Sequence, residues 1–309
     1  MPLISRGQHS NKDKYAVVEQ FQQIDAEADT IAFTNHLELN NRGGHLQGIQ
    51  GISKGGKRFI ILSGSSSTYA YYAIVRTGAE NRVTHIVKIS DKPYKHAGGF
   101  QVWENMMAIG IEDNEAKNRS KVLLFDLSDP EHPPDVPCFV IERSGPFHRS
   151  TAGCVALTRL TNKWLLVVGD WDTKNLDFYM TGNGENPCKI NPFKLVYSIE
   201  AENMDKTNWS DPSWLPYQNI NLIYSEKGNL FLVGMTANGN NEDVADLFKI
   251  DFSEALGVAL FKVATRNFGV NKNTKFRWGA GIEKMPGGAL QIISCGENIK
   301  TESSVSEFY

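Results

Sequence analysis

Five short apolar runs, each reaching a glycine and a polar cluster, constrain this fold most. They are RFIILSGSSS (58–67), MMAIGIEDN (106–114), LLVVGDWDT (165–173), LFLVGMTAN (230–238) and LQIISCGEN (290–298). Their glycines, Gly64, Gly110, Gly169, Gly234 and Gly296, are separated by 46, 59, 65 and 62 residues. Each run is short, bounded by turn residues and apolar at alternate and intervening positions alike. That pattern is expected of a strand covered on both faces. Helical periodicity is almost absent.

A companion strand precedes each run by a short turn: HLQGIQGI, GGFQVWE, TAGCVALTRL, NINLIYSEKG and WGAGIEKMPG. A third follows in YAYYAIVR, SKVLLFDLS, NLDFYMTG and VADLFKIDF, and a fourth in RVTHIVKIS, PCFVIER, FKLVYSIEA and VALFKVATRNF. Four units of four strands result, with a fifth that stops early at ESSVSEFY. A period of roughly 50–60 residues with four strands per unit is the signature of propeller blades. The chain therefore resembles five-bladed β-propeller proteins, a resemblance of fold and not of any particular family. It implies an all-β chain of 309 residues forming one domain. The blades are expected at 45–90, 96–143, 148–201, 217–268 and 276–309, the last completed by 14–24. KYAVVEQFQQI (14–24) reads as the strand that closes the ring and protects the open edge.

Composition excludes several classes of function. Apolar residues make up 41% and charged residues 22%, as in folded proteins and not in disordered ones. A net charge of −3 offers nothing to attract nucleic acid or an anionic membrane. No apolar run nears the roughly 20 residues of a membrane helix. The opening MPLISRGQHSNKDKY lacks an apolar signal core, so a cytoplasmic location is expected, with a processed secreted form as the alternative. Cys138, Cys154, Cys188 and Cys295 show no metal-type spacing and are expected to be reduced and mostly buried.

Blade topology places chemistry at one rim. The innermost strand crosses the disc and the next returns beside it, so the start of the first meets the end of the second. In HAGGFQVWENMMAIGIEDN (96–114) this brings His96 to Glu112 and Asp113. The same rim collects His45 with Ser65 and Ser66, His148 with Asp170 and Asp172, and Tyr217 and Gln218 with Asn238. The fifth unit contributes Arg277, Trp278, Glu297 and Asn298. His45, His96 and His148 are 51 and 52 residues apart and begin consecutive units. Three neutral imidazoles with an open position suit a zinc or iron centre, and the acids suit calcium. Blade-tying hydrogen bonds are the plainer role for the same histidines. Crowded carboxylates at Glu112, Asp113 and Asp170 suit acid–base work, although single acids after strands are commonly turn residues. Arg277 is placed to clamp an anionic ligand group or to form an ion pair between blades. The segment 201–218, with Trp209, Trp214 and Tyr217, is expected over the same face as a pocket wall or a packing loop. SKGGKR and DPEHPPDVP read as plain solvated turns on the other face.

Three functions fit: an enzyme with one axial site for a small molecule, a sugar-binding propeller, or a protein-interaction platform. A lectin repeats its pocket, whereas these rim residues differ from unit to unit, which favours one asymmetric site. The expected chemistry is non-redox: hydrolysis, elimination, isomerisation or cyclisation through His and carboxylate, with a divalent metal as an option. Five-bladed folds include glycoside hydrolases with three axial carboxylates. This chain has no acids at the starts of its inner strands, so that activity is not carried over from the resemblance.

Overall fold

A computed structural model describes residues 12–40, 42–146, 149–184, 186–188, 193–225, 227–253, 257–285 and 287–309. After a helix, α1 (Lys12–Gln23), and a strand, β1 (Asp29–Thr34), the chain runs through antiparallel meanders. The first comprises β2 (Leu46–Lys54), β3 (Lys57–Ser65), β4 (Tyr69–Arg76) and β5 (Arg82–Asp91). The second comprises β6 (His96–Trp103), β7 (Met106–Glu112), β8 (Arg119–Asp126) and β9 (Phe139–Ser144). The third comprises β10 (Cys154–Arg159), β11 (Trp164–Gly169), β12 (Asn175–Met180) and β13 (Lys194–Glu200). The fourth comprises β14 (Asn219–Tyr224), β15 (Leu230–Ala237), β16 (Asp243–Ser253) and β17 (Gly257–Gly269). The last comprises β18 (Ala280–Lys284), β19 (Leu290–Cys295) and β20 (Glu302–Phe308), with β1 as its outer strand.

Two single-residue bridges, Thr34 to Arg82 and Cys154 to Gly99, link neighbouring meanders, so the sheets count eight, eight and four strands. The inner strands pack in a closed circuit: β2 beside β6, then β10, β14, β18 and β2 again. The chain is thus an all-β propeller. The second strands β3, β7, β11, β15 and β19 are buried almost throughout, as their unbroken apolar runs require.

Amides fill the axis and tie the inner strands together. The Gln101 side chain accepts from the Leu157 and Leu222 amides at 3.0 and 2.7 Å and donates to the Leu222 carbonyl at 2.8 Å. Asn221 Oδ1 accepts from Gln50 at 3.0 Å and from the Ile282 amide at 2.8 Å. At Gly99 the backbones approach so closely that a Cβ would lie 2.6 Å from the Gln218 carbonyl oxygen.

Residues 14–24 do not form the closing strand. They fall in α1 and its exit, and β1 takes the edge instead, pairing antiparallel with β20 from Asp29–Glu307 to Thr34–Glu302. Val17, Phe21 and Ile24 recur at intervals of four and three, which puts them on one helical face. That spacing outweighs the strand propensity of the adjacent valines. All three side chains are buried in one cluster with Phe231, Phe268 and Phe308. The Arg266 guanidinium caps the helix exit by donating to the Ile24 carbonyl.

Two sequence expectations about side chains also change. Cys138 and Cys188 form a disulfide, with Cα atoms 5.3 Å apart, that ties the outer parts of the second and third meanders. Fifty residues separate them in sequence, and only the packing of adjacent outer strands brings them together. Cys154 and Cys295 are free and buried. Arg58 of SKGGKR is no plain turn residue: it donates to Glu283 at 2.8 Å and pairs with Glu307. Burial holds the Glu283 carboxyl above its ordinary pKa, against the pull of the Arg58 charge. Among the described residues no helix is long and apolar enough to cross a membrane.

Candidate functional site

The starts of the inner strands surround a cavity of about 610 Å³ on the axis. His96 and Glu112 are directly opposed residues of the β6–β7 ladder, which is how a hairpin joins the ends of the 96–112 segment. His96 Nδ1 lies 3.1 Å from Glu112 Oε1, off the line of a well-formed hydrogen bond. Glu112 is fully buried, and its Oε2 accepts the Ala152 amide at 2.9 Å.

Gln47, two residues after His45, connects the histidines. Its amide nitrogen lies 2.9 Å from His96 Nε2, 3.2 Å from His45 Nε2 and 2.9 Å from His45 Nδ1. His45 Nδ1 is also 2.9 Å from the Leu46 carbonyl. A carbonyl accepts only, so His45 Nδ1 carries the proton and its Nε2 faces the Gln47 amide. Burial lowers the pKa of His45, more than its bond to Leu46 and the charge of Glu297 raise it, which favours the neutral imidazole.

That arrangement bears on a metal centre. The lone pairs that two imidazoles would offer an ion receive N–H groups from Gln47, and His148 lies outside the described residues. Among the described residues no group of three or more His, Cys, Asp or Glu is placed to hold a metal ion.

Aromatic rings form the flanks. Trp171 stacks on His96, with centroids 6.3 Å apart and planes at 28°. Trp278 meets His45 edge-on at 5.0 Å, and the exposed Arg277 guanidinium lies 4.5 Å above the Trp278 ring. Asp170 is buried at the cavity wall, with its oxygens 2.8 and 2.5 Å from the amide and side-chain nitrogens of Asn175. Burial raises the pKa of Asp170, and the Asn175 hydrogen bonds oppose it in part.

Several expected residues stand elsewhere. Asp113 points away from the cavity into the β7–β8 turn, where it accepts the amides of Glu115 and Ala116 and pairs with Arg119 at 2.9 Å. Burial would raise its pKa, but those partners hold it low, and its role is to close a turn. Glu297 does not line the cavity, although its backbone carbonyl receives the Leu46 amide at 2.7 Å. Trp209 is a core residue, packed on Phe248 at 5.4 Å and donating to the Leu260 carbonyl. Trp214 donates to the Thr173 carbonyl at 3.0 Å and does not reach the cavity. Of the aromatic loop, the Pro216–Gln218 end lines the cavity. Tyr217 itself is buried, its hydroxyl 2.5 Å from Asp246. The loop is anchored where its indoles insert between the third and fourth meanders, while much of its chain stays exposed.

Gln47 lines the cavity without having been expected there, while Trp171 and Thr236, within the rim clusters Asp-Trp-Asp and Thr-Ala-Asn of the sequence, line it too. Gln47 carried a signal, since a polar residue two places after His45 points to the same side of the strand.

No protein-family model matches the chain, and no curated protein does. Solved structures match its fold. An α-L-arabinofuranosidase from Podospora anserina in complex with cellotriose has a TM-score of 0.51 and 9% identity, covering 90% of this chain and 96% of its own. A GH62 hydrolase in complex with xylotriose has a TM-score of 0.53 and 8% identity, covering 94% of this chain and 100% of its own. The catalytic domain of a GH62 α-L-arabinofuranosidase from Coprinopsis cinerea has a TM-score of 0.51 and 10% identity, covering 90% and 96%. At such identities the likeness is one of fold.

Proposed function

We propose that this chain is a carbohydrate-processing hydrolase whose substrate binds in the axial cavity. One observation carries this reading: the half-buried His96 paired with a buried Glu112, a buried Asp170 and the rings of Trp171 and Trp278 meet around a single cavity. Its volume falls within the range of small-molecule sites. The aromatic faces suit the C–H faces of a sugar ring, while the Gln47 amide oxygen and the Asn241 side chain suit its hydroxyls. The three solved neighbours are glycoside hydrolases, two of them bound to cellotriose or xylotriose, which agrees with this ligand class.

In this role Glu112 orients the His96 ring, and Gln47 fixes the face that His96 presents. Asp170, with its pKa pushed upward by burial, is the group best suited to hold a proton. Arg277 stays at the mouth and steers the ligand against Trp278. We take the chain as one domain, a disc of five four-stranded blades closed by β1 on β20. The Cys138–Cys188 disulfide suits an oxidising compartment, in place of the cytoplasm suggested by the opening residues.

Incubation with p-nitrophenyl α-L-arabinofuranoside, β-D-xyloside and β-D-galactoside, together with xylotriose and cellotriose, tests this reading. Release of product from at least one, lost in E112Q, is expected. No turnover and no binding of any of them would overturn it.

A further inference from the structure

The axial cavity is lined by three carboxylates, and two are held by neighbouring groups. Glu112 takes the Ala152 amide and faces His96. Asp170 gives both its oxygens to Asn175. Asp172 is half-buried in the same wall; its backbone carbonyl accepts from Thr173 Oγ1 at 2.7 Å, but its carboxylate has no hydrogen-bond or ion-pair partner among the described residues.

Its backbone is also unusual. Asp172 and Thr173 are consecutive non-glycine residues with positive φ, 61° and 50°. Aspartate tolerates the left-handed region, but a β-branched threonine there is a genuine outlier. Such a conformation persists only where its surroundings over-determine it, and it gathers at functional sites. The surroundings do so here. The Trp171 amide donates to Thr151 Oγ1 at 2.7 Å, and the Thr173 amide to the Asp170 carbonyl at 2.9 Å. From the aromatic loop, the Tyr217 amide donates to Thr173 Oγ1 and the Trp214 indole to the Thr173 carbonyl, both at 3.0 Å.

We propose that Asp172 is the carboxylate that receives the ligand's hydroxyl groups, and that Trp214 and Tyr217 are positioning residues that hold its strained turn. This deepens the carbohydrate reading and rests on it. A carboxylate only accepts, and its two oxygens match the paired hydroxyls of a vicinal diol. The neighbouring Trp171 ring supplies the face on which the same sugar lies. Trp214 thereby serves the site from behind, outside the cavity lining.

Titration calorimetry with xylotriose, cellotriose, L-arabinose and D-galactose tests this on the whole chain. D172N keeps the side-chain volume and tolerates the same backbone. It is expected to weaken the tightest of the four by roughly 10- to 100-fold, the worth of a charged hydrogen-bond acceptor, without lowering Tm. W214F, which removes the indole donor together with part of the ring packed on Trp209, Tyr217 and Phe248, is expected to weaken the same sugar several-fold. The double variant should lose no more than D172N alone, because both act through one carboxylate. D172N binding as tightly as the wild type would overturn this role and leave the carbohydrate reading standing. Lost affinity accompanied by a Tm lower by many degrees would assign Asp172 to the fold and overturn the role. A wild-type chain that binds none of the four would overturn both.

Discussion

Replacing Phe21 with alanine measures how firmly the amino-terminal helix is built into the disc. The Phe21 side chain is fully buried, facing Phe231, Phe268 and Phe308 in the cluster between the fourth and last meanders. A phenylalanine buries about 150–250 Å², which at about 25 cal/mol per Å² is roughly 4–6 kcal/mol of transfer free energy. Alanine retains part of that, and partial collapse of the cavity leaves a loss of about 3–5 kcal/mol. Domains are typically stable by only about 5–15 kcal/mol, so this single change should take a large share. Urea unfolding followed by tryptophan fluorescence reads the change as a shift in midpoint at constant slope. The exposed Glu19, two residues earlier on α1, provides the control, because Glu19→Ala should stay within about 0.5 kcal/mol. A loss below about 1 kcal/mol for Phe21→Ala would show that α1 does not dock as described. Deletion of residues 1–25 would then also leave Tm unchanged, where docking requires a fall of many degrees.

Two further outcomes follow from buried charge. Burial raises the Asp243 carboxyl to about 6, opposed by the Phe276 amide and the Lys275 charge. The folded chain therefore binds this proton more tightly than the unfolded one, and the contribution to stability is lost as pH rises from about 4 to about 6. About two pKa units correspond to at most roughly 3 kcal/mol. The stability of Asp243→Asn relative to wild type should shift in the variant's favour by up to that amount between pH 4 and pH 7, and a pH-independent difference would refute it. Lys262 is buried against Asp246 at 3.0 Å, with the more exposed Asp211 at 2.9 Å. Asp246→Ala should cost about 3–5 kcal/mol in urea melts by stranding that ammonium, and a cost under about 1 kcal/mol would show that Asp211 alone satisfies it.

The strand plan was legible because both-face burial writes itself as continuous apolar runs, and all five such runs are second strands of meanders. The closing element was misread because Val17 and Val18 suggest a strand, while the helical spacing of Val17, Phe21 and Ile24 extends over barely two turns. DTIAFT, the true edge strand, is partly exposed and too short to stand out. At the site, ladder logic brought His96 to Glu112 because opposed residues in a hairpin follow from strand register. It could not separate Asp113 from Asp170, since which acid turns inward depends on partners such as Arg119 and Asn175. Nor does sequence reveal that Gln47 places its amide between two histidines, or that Trp209 and Trp214 face the core. Those are matters of packing between units far apart in the chain.

The central claim is that one axial cavity receives a sugar. A crystal of the full chain soaked with xylotriose, or with whichever sugar in the panel binds most tightly, tests it most directly. The account expects a sugar ring in the axial cavity, lying against Trp171 or Trp278 with hydroxyls within 3.2 Å of Asp172 or Gln47, a hydrogen-bonding distance of about 2.7–3.2 Å. Sugar bound only between outer strands, or an empty axial cavity at a concentration that saturates the protein in solution, would contradict it.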